Sequence, residues 1–137
     1  MISAIQTALS GLMAASKKVE AGASNIANLH TVGALDDPDN APYTPLTVQQ
    51  ESLKGTEGRG LGVKADFAPK SPAFVPAYDP DSPFADEDGV IGVPNVDLAE
   101  EAVNLTIAEA SYKANLAVIK TADELHEDLL HIFDDRV

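Results

Sequence analysis

All nine prolines of this 137-residue chain fall between positions 38 and 94, at 38, 42, 45, 69, 72, 76, 80, 83 and 94. A proline inside a helix removes a backbone donor and clashes with the preceding turn, so no long helix crosses that stretch. Both flanks are free of the obstacle. The expected organisation is an N-terminal helix in 1–30, a β-rich or extended middle in 31–94 and a C-terminal helix in 95–137.

The first flank predicts a helix from Ser3 to about Asn28. Ser3 with Gln6 makes a capping-box pattern, and Ile5, Leu9, Leu12, Ser16, Val19, Ala23 and Ile26 recur at alternating spacings of four and three, the seam of a coiled coil. Gly11 and Gly22 each cost about 1 kcal/mol against alanine, so this helix is expected to be marginal until it finds a partner. The second flank, Asn95 to about Phe133, has neither proline nor glycine. Asn95 can cap it, and Asp97 with Glu100 offers a second box. At 1.5 Å per residue it would extend about 55 Å. One apolar stripe runs through Leu98, Leu105, Tyr112, Ile119 and Phe133, and a second through Val103, Ile107, Ala110, Ala114 and Ala117, which implies more than one neighbour.

Between them, Leu46–Leu53 and Gly62–Ala68 alternate apolar and polar residues around a turn-rich Lys54–Gly60, the pattern of a hairpin. Residues 69–94 read as an extended arm with room for one more short strand. The fold class is therefore mainly α with a small β-rich middle. The long terminal helices pair as an antiparallel coiled-coil-like hairpin, because a lone seam cannot bury itself.

Charge narrows the partners. Nine Lys and Arg face 22 Asp and Glu, for a net charge of -13, which repels nucleic acid and anionic membranes. No cysteine is present, so thiolate metal sites, thiol redox chemistry and a cysteine nucleophile are excluded. No apolar run is long enough to span a membrane, and the opening Met1-Ile-Ser-Ala-Ile-Gln lacks the basic start of a secretory signal. The acidic groups Asp36-Asp37-Pro-Asp39, Asp79-Pro-Asp81 and Asp86-Glu-Asp88 could ligate calcium, but prolines and the missing loop-end glutamate break the EF-hand spacing. His126 and His131 are five apart, off one helical face. Gly58-Arg-Gly-Leu-Gly62 has no following Gly-Lys-Ser/Thr, and no Gly-x-Ser-x-Gly occurs. No catalytic residue, metal ligand or cofactor is expected. Asp123, Glu124, Glu127, Asp128, Asp134 and Asp135 oppose the dipole at the end of the second helix, which would suit a basic partner.

Two motifs now acquire a context. Asn25-Ile-Ala-Asn28 with Thr31 and Gly33, and Pro94-Asn95-Val96-Asp97 with Glu101, Val103, Leu105, Tyr112, Ala114, Asn115, Ile119, Lys120 and Thr121, resemble the two ends of the bacterial flagellar rod, hook and axial proteins. The stretch Tyr78-Asp-Pro and Pro83-Phe-Ala through Asp97 is similar to the short proximal-rod members of that family. On spacing alone Asn25 and Asn28 read first as a helix C-terminus, and the resemblance reverses that order. The resemblance implies a non-enzymatic subunit of a helical tube that transmits torque and surrounds an export channel. It further implies export from the cytoplasm through the flagellar type III apparatus without a cleaved signal, and residence in the rod of the basal body within the cell envelope. The implied partners are the chain itself, other rod subunits, and basal-body ring and adaptor proteins. The residues expected to carry assembly are Leu9, Leu12, Val19, Asn25, Ile26 and Asn28 on the first helix and Asn95, Asp97, Leu105, Tyr112, Asn115 and Ile119 on the second. The alternative is a small acidic calcium-dependent or secretion-adaptor binding module, whose working parts would be the acidic clusters.

Overall fold

The computed structural model describes residues 2–56 and 59–134, with side chains through Ile132. The proline-free flanks form the two helices, α1 over Ile2–Ala27 and α2 over Leu98–Asp134. Between them, among the described residues, come a 3-10 turn at Pro38–Asn40 and four strands: β1 Leu46–Lys54, β2 Gly60–Pro69, β3 Phe74–Tyr78 and β4 Val90–Pro94.

The helix starts differ from the sequence reading in detail. Ser3 lies inside the first turn of α1, so it does not cap that helix. At α2 the cap is Asp97, whose Oδ1 accepts from Ala99 N at 2.7 Å and Glu100 N at 3.2 Å. Asn95 serves another purpose: its Nδ2 donates to Pro72 O at 3.0 Å and its backbone N to Ala73 O at 2.9 Å, tying the helix start to the β3 approach. Glu100 does not close the expected box, since its carboxylate pairs with Lys70 at 2.8 Å.

The two helices run antiparallel, with Gly22 of α1 against Leu105 and Glu101, Gly11 against Asn115, and Ile2 and Ile5 at the level of Ala122 and His126. The contacting face of α1 is not the expected seam. Ala8, Ala14, Ala15, Ala21, Gly22 and Asn25 are its buried residues, while Leu9 and Val19 are 44% and 42% exposed. Two stripes of the same three-four period lie one residue, about 100°, apart on this helix. The stripe of small side chains wins because it lets the backbones approach closely, and the stripe of large ones is left facing out. On α2, Glu101, Ala108 and Ala122 are buried and Leu105, Asn115 and Ile119 half-buried against α1. Leu98, Tyr112, Val103 and Ile107 are exposed.

β1 and β2 form the expected antiparallel hairpin, paired from Leu46 with Pro69 to Leu53 with Gly62, and lie along α1. Lys17 fastens them there. Its ammonium donates to Ala65 O and to Asp66 Oδ1, and sits 5.3 Å from the centre of the Phe67 ring. Gly62 has a φ of +115°, and its backbone passes so close to Ser10 that a Cβ there would overlap the Ser10 hydroxyl, which accepts from Val63 N at 3.0 Å.

The 69–94 arm holds two strands, one more than the sequence suggested. β3 and β4 pair antiparallel from Phe74 with Pro94 to Tyr78 with Val90, and Gly92 also bridges to Gly33 just after α1. Pro76 inside β3 hid the strand, because proline weakens any strand pattern read from sequence.

Candidate assembly surface

Asn25 is 1% exposed and uses both ends of its amide. Its Nδ2 donates to Leu46 O at 2.8 Å and to Glu101 Oε1 at 2.7 Å, and its Oδ1 accepts from Leu46 N at 2.8 Å and from the Tyr43 hydroxyl at 3.1 Å. One side chain thus joins α1, the first residue of β1 and α2. A buried amide with its donors and acceptors satisfied is worth keeping, since any partner left alone there costs about 1–3 kcal/mol. Glu101, 6% exposed, is the carboxylate at this junction. Its flank opens on a cavity of about 410 Å³ lined by Lys18, Gly22, Leu46, Lys70 and Asn104.

Asn28 has a different job from Asn25. Its Nδ2 donates to Ser24 O at 2.9 Å and its Oδ1 accepts from Thr31 Oγ1 at 3.3 Å, which closes the end of α1. Of the two readings of that motif, the helix terminus holds for Asn28, and Asn25 is an inter-element clamp. Asn115 lies inside as well, held by a 2.8 Å bond from its Nδ2 to Ser111 O; a Cβ on Gly11 would stand 2.6 Å from its amide atoms.

The residues expected to carry assembly therefore divide. Asn25, Leu105, Asn115 and Ile119 face the α1–α2 contact or its border, whereas Leu9, Val19, Ile26 and Tyr112 are exposed and Leu12 is half-buried. Asn95 and Asp97 order the start of α2. With Met13, the exposed α1 residues form an outward apolar stripe, and Val103 and Ile107 form one on α2, with Tyr112 on the opposite side of that helix. Sequence reasoning missed Ser10, Lys17 and Tyr43, whose partners lie in β2 and at the end of α1. No local periodicity marks such contacts.

Electrostatically the surface is plain. The Lys64 ammonium beside Asp66 holds that carboxyl below the usual carboxylate range, with Lys17 adding to the effect. The Asn40 amide does the same for Asp37, and Lys113 for Glu109. Two of the acidic groups are tied into turns: Asp37 accepts from Asp39 N and Asn40 Nδ2, and Asp86 Oδ1 from Asp88 N and Val90 N. Among the described residues no three His, Asp or Glu side chains converge as metal ligands would. None of the described helices is long and apolar enough to cross a membrane.

Both ends of the chain match known families. Residues 5–34 match the model described as flagella basal body rod protein, and residues 87–132 the model described as flagellar basal body rod FlgEFG protein C-terminal. Those matches contain most of α1, with its Asn25 clamp, and most of α2, so the class of protein is that of flagellar rod components. Relatives define it further. The chain is 35% identical over 118 residues to the flagellar basal-body rod protein FlgC of Salmonella typhimurium, covering 85% of each. It is 35% identical over 124 residues to FlgC of Agrobacterium fabrum, covering 85% of this chain and 83% of the relative. To FlgC of Aquifex aeolicus it is 29% identical over 128 residues, or 93% and 92%. The chain belongs to the flagellar basal-body rod protein family, as a FlgC-type member.

Proposed function

We propose that this chain is a structural subunit of the flagellar basal-body rod and works by contact, without catalysis. The observation that carries the reading is the division of each terminal helix into an inner face, already satisfied within the subunit, and an outer apolar stripe. Ile5, Leu9, Met13, Val19 and Ile26 on α1 and Val103, Ile107 and Val118 on α2 are all exposed in the isolated chain. Continuous apolar stripes of this kind mark surfaces that other subunits cover. A contact repeated head-to-tail without closing generates a helical tube. In that assembly the paired helices line the inner layer around the export channel, and the hairpins fill the space between neighbours. Torque passes through the side-chain contacts, and the partners are further copies, other rod subunits and the ring and adaptor proteins of the basal body. Residence in the basal-body rod accords with the names of its relatives, and delivery by the flagellar type III apparatus belongs to the same proposal. The relatives named above do not support the acidic binding-module alternative, and two of its acidic groups are occupied in turns.

The test is replacement of the chromosomal copy by Leu9→Asp and, separately, Leu12→Asp. Leu9→Asp should express to the wild-type level, keep its helical circular dichroism, and fail to enter isolated basal bodies, with swimming lost. Leu12→Asp should give the same loss. Wild-type motility of both variants would overturn the reading.

A further inference from the structure

The four described strands present four outer edges, and three of them are closed by the chain itself. Gly33 exchanges backbone bonds with Gly92 on the outer edge of β4, and the outward residues of β3 include Pro76, which has no N–H to offer. Along β2, Val63 N donates to the Ser10 hydroxyl and Ala65 O accepts from Lys17. On β1 the edge is closed only at its start. Asn25 donates to Leu46 O and accepts from Leu46 N, the pair of bonds that a residue of a neighbouring strand would make. By the alternation of an antiparallel ladder, Val48, Gln50 and Ser52 turn their N–H and C=O the same way, and no described residue bonds to them there. Asn25 is thus the first rung of a third strand that the chain does not continue.

That edge borders a gap. β1 lies along α1 without packing on α2, and the space between holds two cavities of about 410 and 300 Å³. Leu46 and Val48 border the first, with Asn104 and Ile107 of α2 across it, and Gln50 borders the second, with Ser111 across it. Lys18 rises from α1 and lines both. Its charge stands uncompensated: Glu100 is taken by Lys70, Glu101 by Asn25, and no described carboxylate lies within ion-pair distance of Lys18. Of the other cations, Lys17, Lys64 and Lys113 are paired, Lys54, Arg59 and Lys120 line neither cavity, and Arg136 lies outside the described residues.

We infer that an extended segment of a different protein adds to β1 as a third strand, with an apolar side chain against Ile107 and a carboxylate two residues along against Lys18. Main-chain bonds to Val48, Gln50 and Ser52 supply the affinity, and the two side chains set the register. A second copy of this chain fits poorly. Its β2, β3 and β4 edges are closed, prolines at 42, 45, 69 and 72 interrupt the stretches before and between its hairpins, and β1 against β1 would make a closed twofold pair. The inference goes beyond the rod-subunit reading and does not rest on it.

The experiment uses the full chain and a fluorescent synthetic peptide of about seven residues in which threonines alternate with valine, glutamate and valine. Two further forms are N-methylated, one on the threonines and the other on the three remaining residues. A strand turns alternate N–H groups to opposite edges, so one methylated form should lose about tenfold or more in affinity while the other binds like the parent. Replacing the peptide's glutamate with glutamine should weaken binding about threefold, and Lys18→Gln should abolish that difference. Gln50→Pro removes one outward N–H and no bond between β1 and β2. It should abolish binding at an unchanged circular dichroism and urea midpoint. If that variant is unfolded, the methylated pair on the wild-type chain decides the matter. Equal affinity of the two methylated forms, whether both bind or neither does, overturns the inference, as does a parent peptide that shows no saturable binding at about millimolar concentration. An unchanged preference for glutamate in Lys18→Gln overturns the assigned register. Sedimentation showing a dimer that Gln50→Pro abolishes would make a second copy the occupant and overturn the choice of a different protein.

Discussion

Asn25 donates to Glu101 at 2.7 Å, joining the last turn of α1 to the first turn of α2 across 76 residues of chain. The same amide serves both backbone groups of Leu46, so the bond is one edge of a three-way junction. Asn25→Ala removes those partners at once and leaves a buried carboxylate and the backbone of Leu46 without their donor and acceptor. The expected cost is about 2–4 kcal/mol. It is read as a lower urea midpoint at an unchanged slope, and a loss under 1 kcal/mol would show that water replaces the amide there.

Gly11 gives room to Asn115. Gly11→Ala gains about 1 kcal/mol of helix propensity but drives its methyl into the Asn115 amide, 2.6 Å away, and Asn115 is tethered to Ser111. The single change should therefore destabilise by about 1–2 kcal/mol. Gly11→Ala with Asn115→Ala should recover most of that loss, giving a coupling energy of opposite sign to the single effect. Additive effects in thermal unfolding would mean that the helices shift apart instead.

The Lys64–Asp66–Lys17 cluster sets an acid dependence. Asp66 has its carboxyl lowered in the folded chain, chiefly by the Lys64 hydrogen bond. A lowered folded value means stability that is present above the ordinary carboxylate range near 3.9 and lost as pH falls through the folded value. Asp66→Asn lacks the contribution at every pH. The urea midpoints of the two proteins should differ at pH 6 and converge below about pH 3. A gap that stays constant through that range would show the ion pair to be without effect on folding.

How much of this was legible beforehand depended on which residues carried the information. Prolines kept the helices out of 38–94, the apolar periodicity and cap residues placed the helix ends to within three residues, and alternation located β1 and β2. The face on which α1 meets α2 was illegible because Ala8, Ala15 and Ala21 carry little hydrophobic contrast, whereas the larger Leu9 and Val19 announce a stripe that the subunit leaves open. Periodicity finds where apolar bulk lies, and close helix contacts are made where bulk is missing. Asn25 was recognisable as part of a motif but not as a clamp, because its four hydrogen bonds run to Tyr43, Leu46 and Glu101 at distances along the chain that no local pattern encodes. Gly11 and Gly22, counted as weaknesses of α1 in isolation, are points of close approach in the pair.

The antiparallel pairing also has a timetable. The partners of α1 include Tyr43, Leu46, Val63, Ala65, Glu101 and Asn115, all downstream of it. A chain released from its first residues onward offers α1 only the β1–β2 hairpin until α2 has emerged, and closing so large a loop is among the slowest steps available to a small protein. The segment that bears the Leu9 and Val19 stripe therefore stays loosely structured through most of the chain's emergence. It becomes a presentable surface only when the subunit is almost complete, so that premature sticking between unfinished neighbours is held off by the order in which the residues arrive.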